Sequence, residues 1–191
     1  MPATISALIA SRVDRLPASA RELLADAAAL GKGFPLAHLR ALATSDRFED
    51  DLALLERRGF IDRRSDGPVA ALEFRHVLTQ EVAYGSLLQG DRQERHRRAA
   101  ETLERLYRGR TIEVCDHLSH HWLQSDRRPR AFPYLLTAAD GAVAIGANQE
   151  AIGDLQSALG LIDEHPQLAP KAQQDTIRLK LAGLHFITGE R

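Results

Sequence analysis

Three places in this sequence hold residues whose types and spacing could do chemistry. His76 stands where an apolar helical pattern begins. An imidazole beside the exposed N–H groups of a helix start is a reasonable contact for a phosphate, although a histidine there can equally cap the helix or pack beneath the preceding segment. His117, His120 and His121, with Asp116, form a metal-like cluster. Residues three and four apart share a helix face, so His117 can stand beside both other histidines. Cys115 points elsewhere at that spacing, and no carboxylate or histidine of a second segment is visibly paired with the three; packing between helices is the competing explanation. Arg92, Arg95, Arg97, Arg98, Arg105, Arg108 and Arg110 make the most basic segment, interleaved with Glu94, Glu101 and Glu104. Phosphate contacts come from such stripes. Pairing of Glu94 with Arg98 and of Glu101 with Arg105, four residues on, accounts for much of it without any ligand.

Covalent catalysis has no visible equipment. A nucleophile needs a base within reach. Cys115 lies on an apolar stripe, where a thiol behaves as core. No G-x-x-x-x-G-K-[ST] phosphate loop occurs in the 191 residues; Gly31-Lys32-Gly33 is too short and lacks the hydroxyl residue. The reading is therefore a chain that is not an enzyme in itself and carries no cofactor of its own.

Elements that would position these residues are mostly helical. Hydrophobic residues make up 44% and charged residues 27%, ordinary globular usage. Abundant alanine with scattered β-branched residues favours helix. Lysine is confined to Lys32, Lys171 and Lys180, an arginine bias that reads as the coding habit of a GC-rich bacterial genome before it reads as chemistry. A formal net charge of −1 gives no overall pull on nucleic acid or anionic membrane. The single cysteine excludes an internal disulfide. No apolar run approaches the roughly 20 residues of a membrane span, no secretion signal opens the chain, and the expected location is cytoplasmic.

The N-terminal half reads as a helical set closed by one hairpin. Thr4 caps a first helix bearing Ile5, Leu8, Ile9, Val13 and Leu16 on one face. Pro17 opens a second, with Leu23, Leu24, Ala27 and Leu30, closed at Gly31. Pro35 starts a third with Leu36, Leu39 and Leu42. Ser45 caps a fourth with Phe48, Leu52 and Leu55, which Gly59 ends with Phe60 as its apolar contact. Phe60 to Arg64 is short and extended, Ser65-Asp66-Gly67-Pro68 is a turn, and Ala70, Leu72 and Phe74 alternate. Helices followed by such a hairpin are the layout of a winged helix, with the wing at about 60–75.

From His76 the pattern is helical to the end. Val77, Leu78, Val82, Tyr84 and Leu88 make one helix; Ala99, Ala100, Leu103, Leu106 and Tyr107 the next; Cys115, Leu118 and Trp122 a third. From Arg130 a tetratricopeptide-type template fits, with Leu135, Ala138, Ala139 and Ala142 on one helix and Ala151, Leu155 and Ala158 on its partner. Leu181-Ala182-Gly183-Leu184 looks like the start of a further repeat. Repeats need neighbours to bury their faces, so the array reads as part of a longer protein. The expected division is a winged-helix-like domain over 1–109 and incomplete helical repeats over 110–191.

Taken in order, several blocks carry a family resemblance. They are Pro2-Ala3-Thr4-Ile5 through Arg12-Val13-Asp14-Arg15-Leu16, Ala20-Arg21-Glu22-Leu23-Leu24, and Phe74-Arg75-His76 with Gln80-Glu81-Val82-Ala83-Tyr84. Arg95-His96-Arg97-Arg98-Ala99-Ala100-Glu101, His120-His121-Trp122 and Ala138-Ala139 follow. Their sequence and spacing resemble the region downstream of the ATPase core in STAND-type (AAA/NB-ARC-like) regulatory ATPases, of the bacterial kind attached to class III adenylate cyclases, serine/threonine kinases or LuxR-type regulators. The resemblance implies a non-catalytic regulatory and protein-interaction module in signal transduction. Its ATP or ADP would be held by an upstream domain, and its partners would be proteins or that domain. It also implies a role for His76. Related plant and animal ATPases carry a Met-His-Asp motif at the end of the winged helix whose histidine senses bound diphosphate. Arg75-His76-Val77-Leu78 is similar in place, with Val77 departing from the acid.

The alternative reading is a DNA-binding winged-helix transcriptional regulator. It is disfavoured because the basic helix follows the wing, whereas a recognition helix precedes it. The helix that does precede it opens with Glu49-Asp50-Asp51, acids where phosphates would lie.

Overall fold

The computed structural model describes residues 3–64 and 70–189. These residues are mainly helical, with a small three-stranded antiparallel sheet, and the chain divides into two compact units, Met1–Thr102 and Leu103–Arg191. The expected junction near Gly109 lies beyond that division, which falls inside a continuous helix. Among the described residues no helix is long and apolar enough to cross a membrane.

The first unit is built on α2 (Ala18–Leu30), which α3, α4 and α5 contact. Pro17 fixes its entry, and Gly31, at φ 112°, takes the chain out through a conformation open to glycine. From Leu23 to Ala29 every residue of α2 is buried. That burial is possible because four of those seven are alanines, whose methyl groups let neighbouring elements approach closely. Around it run α1 (Ala3–Asp14), β1 (Gly33–Pro35), α3 (Leu36–Leu42), α4 (Phe48–Arg57), β2 (Ile61–Arg64), β3 (Ala71–Phe74), α5 (Val77–Gly85) and most of α6 (Gln89–Leu106).

Several expectations are corrected here. Thr4 lies inside α1, so it does not cap it, and Ile5 and Leu8 are exposed; of the apolar positions expected on that face, Ile9 and Val13, with Leu16 beyond the helix, are buried. Ser45 caps nothing: α4 begins three residues later, and the Ser45 hydroxyl accepts the Arg47 N–H at 3.1 Å in the turn before it. Helix α5 stops at Gly85, which leaves Leu88 exposed; Val77 is exposed too, and Thr79 and Ala83 are the buried positions.

Gly59 closes α4 as the spacing demands. Its φ is +70°, its N–H donates to Glu56 O at 2.9 Å, and the Phe60 N–H reaches back to Leu55 O at 3.0 Å. This is a Schellman ending, and the accompanying apolar contact is between two buried residues, Phe60 and Leu55. The strands lie in the order β1-β3-β2, with Phe34 opposite Leu72 and Ile61 opposite Phe74. The expectation of a single hairpin is thus corrected by a third strand. Three residues are too few to show alternation, and their partner lies some forty residues on. The turn Ser65-Asp66-Gly67-Pro68 falls outside the described residues.

A buried ion pair ties α6 to α2. Asp26 is 4% exposed and pairs with Arg95, which is 8% exposed and also donates to Glu22 at 2.5 Å. Arg98 stands 3.6 Å from Asp26 and donates to Leu42 O, at the end of α3, at 2.7 Å. Burial pushes the Asp26 carboxyl above its usual range even with two arginines beside it.

The second unit consists of the end of α6 followed by α7 (Cys115–Gln124), α8 (Phe132–Ala144), α9 (Asn148–Glu164) and α10 (Lys171–Thr188), each packed on the next from α7 onward. Ala138 and Ala139 of α8 and Ala151 and Ala158 of α9 are all but fully buried, so small side chains lie where these two packed helices meet. Trp122 is fully buried, and its indole N–H donates to Glu104 Oε1 at 3.0 Å. The Tyr134 hydroxyl donates to the same oxygen at 2.9 Å, Arg130 donates to Oε2 at 2.9 Å, and the Arg130 guanidinium lies 4.0 Å over the Trp122 ring. Glu104 is therefore the polar hub of this unit.

Two stability outcomes follow from this architecture. Arg95→Met leaves Asp26 a buried charge without its main partner and should cost about 3–5 kcal/mol in urea unfolding, whereas Asp26→Leu/Arg95→Met together should recover most of that loss. Gly59→Ala strains a positive φ and brings a Cβ to 2.8 Å from Arg75 Nη1; a loss of about 1–2 kcal/mol is expected, and unchanged stability would contradict the cap.

Candidate functional site

His76 is the residue preceding α5. It follows directly on β3 and the turn at Arg75, its backbone is extended, and its carbonyl accepts the Thr79 N–H at 2.9 Å. No side chain caps this helix, and the imidazole is exposed, so His76 neither caps α5 nor packs under the strands. Arg75 beside it makes a two-pronged ion pair with Asp62 of β2, at 2.5 and 2.9 Å. The hydrogen bond and the charge of Arg75 hold the Asp62 carboxyl below its usual range. The surface at this end of the sheet thus has an imidazole next to a helix start and a neutralised acid.

The three clustered histidines do not share one environment. His117 and His120 are on the exposed side of α7, while His121 is 2% exposed and turned into the core. The rings of His120 and His121 meet edge to face at 5.4 Å. Burial, reinforced by His117, holds the His120 imidazole below its usual pKa. Cys115 is buried, and burial together with Asp116 pushes its thiol up, away from a nucleophilic thiolate.

What the sequence did not show is the groove that His120 lines. Between α7 and α9 the second unit has a depression of about 390 Å³, walled by Asp116, Ser119 and His120 on one side and Glu150, Asp154 and Ser157 on the other, over Leu123 and Leu135. Asp154 is half-buried, and burial with the like charges of Asp116 and Glu150 pushes its carboxyl up to about 6. The two serines are not poised on the histidine: Ser119 donates to Asp116 O at 2.9 Å and Ser157 to Gly153 O at 2.8 Å. The groove thus gathers three carboxylates, Asp116, Glu150 and Asp154, beside one imidazole, and neither serine is directed at that imidazole. One sequence signal was available. Glu150 and Asp154 are like charges four apart on one helix face, a pairing that costs helix stability unless something offsets it.

The arginines of α6 are spent internally. Arg92 donates to Leu87 O and Gly85 O at 3.0 and 2.9 Å and lies 5.0 Å over the Tyr84 ring. Arg97 is held by Glu94 and Glu101, at 3.1 and 3.4 Å. Arg95 and Arg98 face Asp26, so the expected Glu94–Arg98 pairing gives way to a tertiary one for Arg98. Further along, Arg110 pairs with Glu113 at 3.2 Å.

Comparison with protein-family models, with curated proteins and with solved structures found no match to this chain.

The raised Asp154 pKa has a definite sign. In the folded chain this carboxyl binds its proton more tightly than in the unfolded one, so its ionisation opposes folding. The resulting penalty is absent below about pH 4, grows between pH 4 and 6, and is complete above 6. Asp154→Asn should stabilise the protein by about 1 kcal/mol at pH 7, after allowance for solvent screening, and give no gain at pH 4. Thermal unfolding of both proteins at the two pH values checks this.

Proposed function

We propose that this chain is a non-catalytic regulatory module: a winged-helix-like domain followed by tetratricopeptide-like helical repeats, acting in a signal-transduction ATPase of the STAND type. The observation that carries this reading is the order of elements in the first unit. Helix α2, strand β1, helices α3 and α4, then β2 and β3 with β1 paired to β3, is an order that supports the winged-helix reading. Support for the repeats comes from the successive packing of α7 to α10 and from the buried small residues where α8 meets α9. Leu179, Phe186 and Ile187 of α10 are exposed apolar residues of the sort a further stacked helix covers.

In this reading the repeats engage a protein partner, and His76 reports on a nucleotide held by an upstream ATPase core. Its exposure beside an uncapped helix start favours that role. DNA binding is disfavoured because α4, the helix before the strands, opens with Glu49, Asp50 and Asp51. The internal engagement of Arg92, Arg95, Arg97 and Arg98 points the same way.

The coding sequence immediately upstream tests the assignment: a Gly-rich phosphate loop of the form G-x-x-x-x-G-K-[ST] is expected there, and its absence would overturn it. Calorimetric titration of the 191-residue chain with ATP and ADP should give no signal. An electrophoretic shift with random duplex at low salt should also be negative, and salt-sensitive binding there would favour the transcriptional regulator.

A further inference from the structure

The first unit contains a cavity of about 110 Å³ between the start of α2, the loop joining α3 to α4, and the first turn of α4. Its walls are mainly apolar, from Leu23, Ala43 and Phe48, with Ser19 and Asp51 among its polar lining. Asp51 is 2% exposed. The Ser19 hydroxyl donates to its Oδ1 at 3.0 Å, but Oδ2 has no hydrogen-bond partner among the described residues. A buried carboxylate oxygen without a donor is costly, and folded proteins rarely leave one so without reason.

The nearby charges do not relieve it. Glu22 and Asp26 also line the cavity, but the cations of α6 go to them: Arg95 binds both, and Arg98 lies near Asp26. The neighbouring acids therefore have their counter-charge and Asp51 is left with a hydroxyl alone. The position of Asp51 in the first turn of α4 favours an anion electrostatically, but supplies no bond to Oδ2.

We propose that this cavity binds the head of an aliphatic monocation, an alkylammonium or alkylguanidinium group. Its N–H donors complete Asp51 Oδ2, and its alkyl stem lies against Leu23, Ala43 and Phe48. A hard metal cation fits poorly, since it takes six or more oxygen ligands and these walls are largely carbon. An anion is disfavoured by the uncompensated Asp51 carboxylate. A single positive charge matches the one lining carboxylate, Asp51, that has no cation among the described residues, and an N–H donor meets its free oxygen.

The test uses the intact 191-residue chain with n-butylguanidinium, n-butylammonium, neutral n-butylurea and N-acetylarginine amide, followed by amide NMR shifts of Ser19, Ala43 and Asp51. Saturable shifts with the two cations, absent with butylurea, are expected. Asp51→Asn should weaken them at least about tenfold, and Ala43→Leu, which fills the cavity while keeping the charge, should do the same. Circular dichroism establishes that each variant is folded, and Ala43→Leu decides the matter if Asp51→Asn is not. Binding of N-acetylarginine amide as tight as that of butylguanidinium identifies a protein side chain as the source of the cation; binding of the simple cations alone identifies a free amine or guanidine. Absence of saturable binding, equal binding of butylurea, or binding unchanged in folded Asp51→Asn would overturn the proposal.

Discussion

A carboxylate on the innermost helix constrains the first unit. Asp26 belongs to α2, where every neighbour from Leu23 to Ala29 is buried, and a charge there is tolerable only with a cation in fixed geometry. Arg95 supplies it, and by doing so sets how α6 lies along α2. One turn-like step on, Arg98 uses the same alignment to reach the last carbonyl of α3. A hydrophobic contact would tolerate some sliding; a guanidinium shared between Asp26 and Glu22 does not. Within the second unit, Glu104 is the residue around which Trp122, Arg130 and Tyr134 assemble. Each unit thus gathers polar partners around a carboxylate, Asp26 in the first and Glu104 in the second.

The apolar periodicities were enough to locate most helices. Leu118 and Trp122, then Leu135, Ala138, Ala139 and Ala142, then Ala151, Leu155 and Ala158 all bury as their spacing required. Gly59 was legible in detail, because a left-handed residue after a helix leaves few choices besides glycine. The signals that misled were the weak ones. A threonine or serine near a helix start competes with many equivalent positions, and Thr4 and Ser45 lost that competition. Exposed Ile5, Leu8, Val77 and Leu88 show that an apolar residue at helical spacing faces the core only if another element arrives to cover it. Strand β1 was invisible because its pairing with β3 is decided by tertiary approach and not by its three residues.

Sites were less legible than elements. His76 could be placed at a helix start from the sequence, but whether its ring was exposed depended on how the strands pack. The histidine cluster was visible as spacing on one helix; two of the carboxylates that line the groove with His120 come from α9, thirty or more residues later. Asp51 drew notice only as an acid at the wrong end of a recognition helix. Its lack of a partner appears once the arginines of α6 are seen to be committed to Glu22 and Asp26.

Trp122 is the chain's single tryptophan. It lies in the second unit, fully buried, bonded through its indole nitrogen to a carboxylate and covered by a guanidinium. Its fluorescence therefore reads one unit and is blind to the other, while far-ultraviolet dichroism reads the helices of both. The molecule so carries its own means of separating two unfolding transitions: a displacement between the optical and dichroic midpoints measures how independently the two halves come apart.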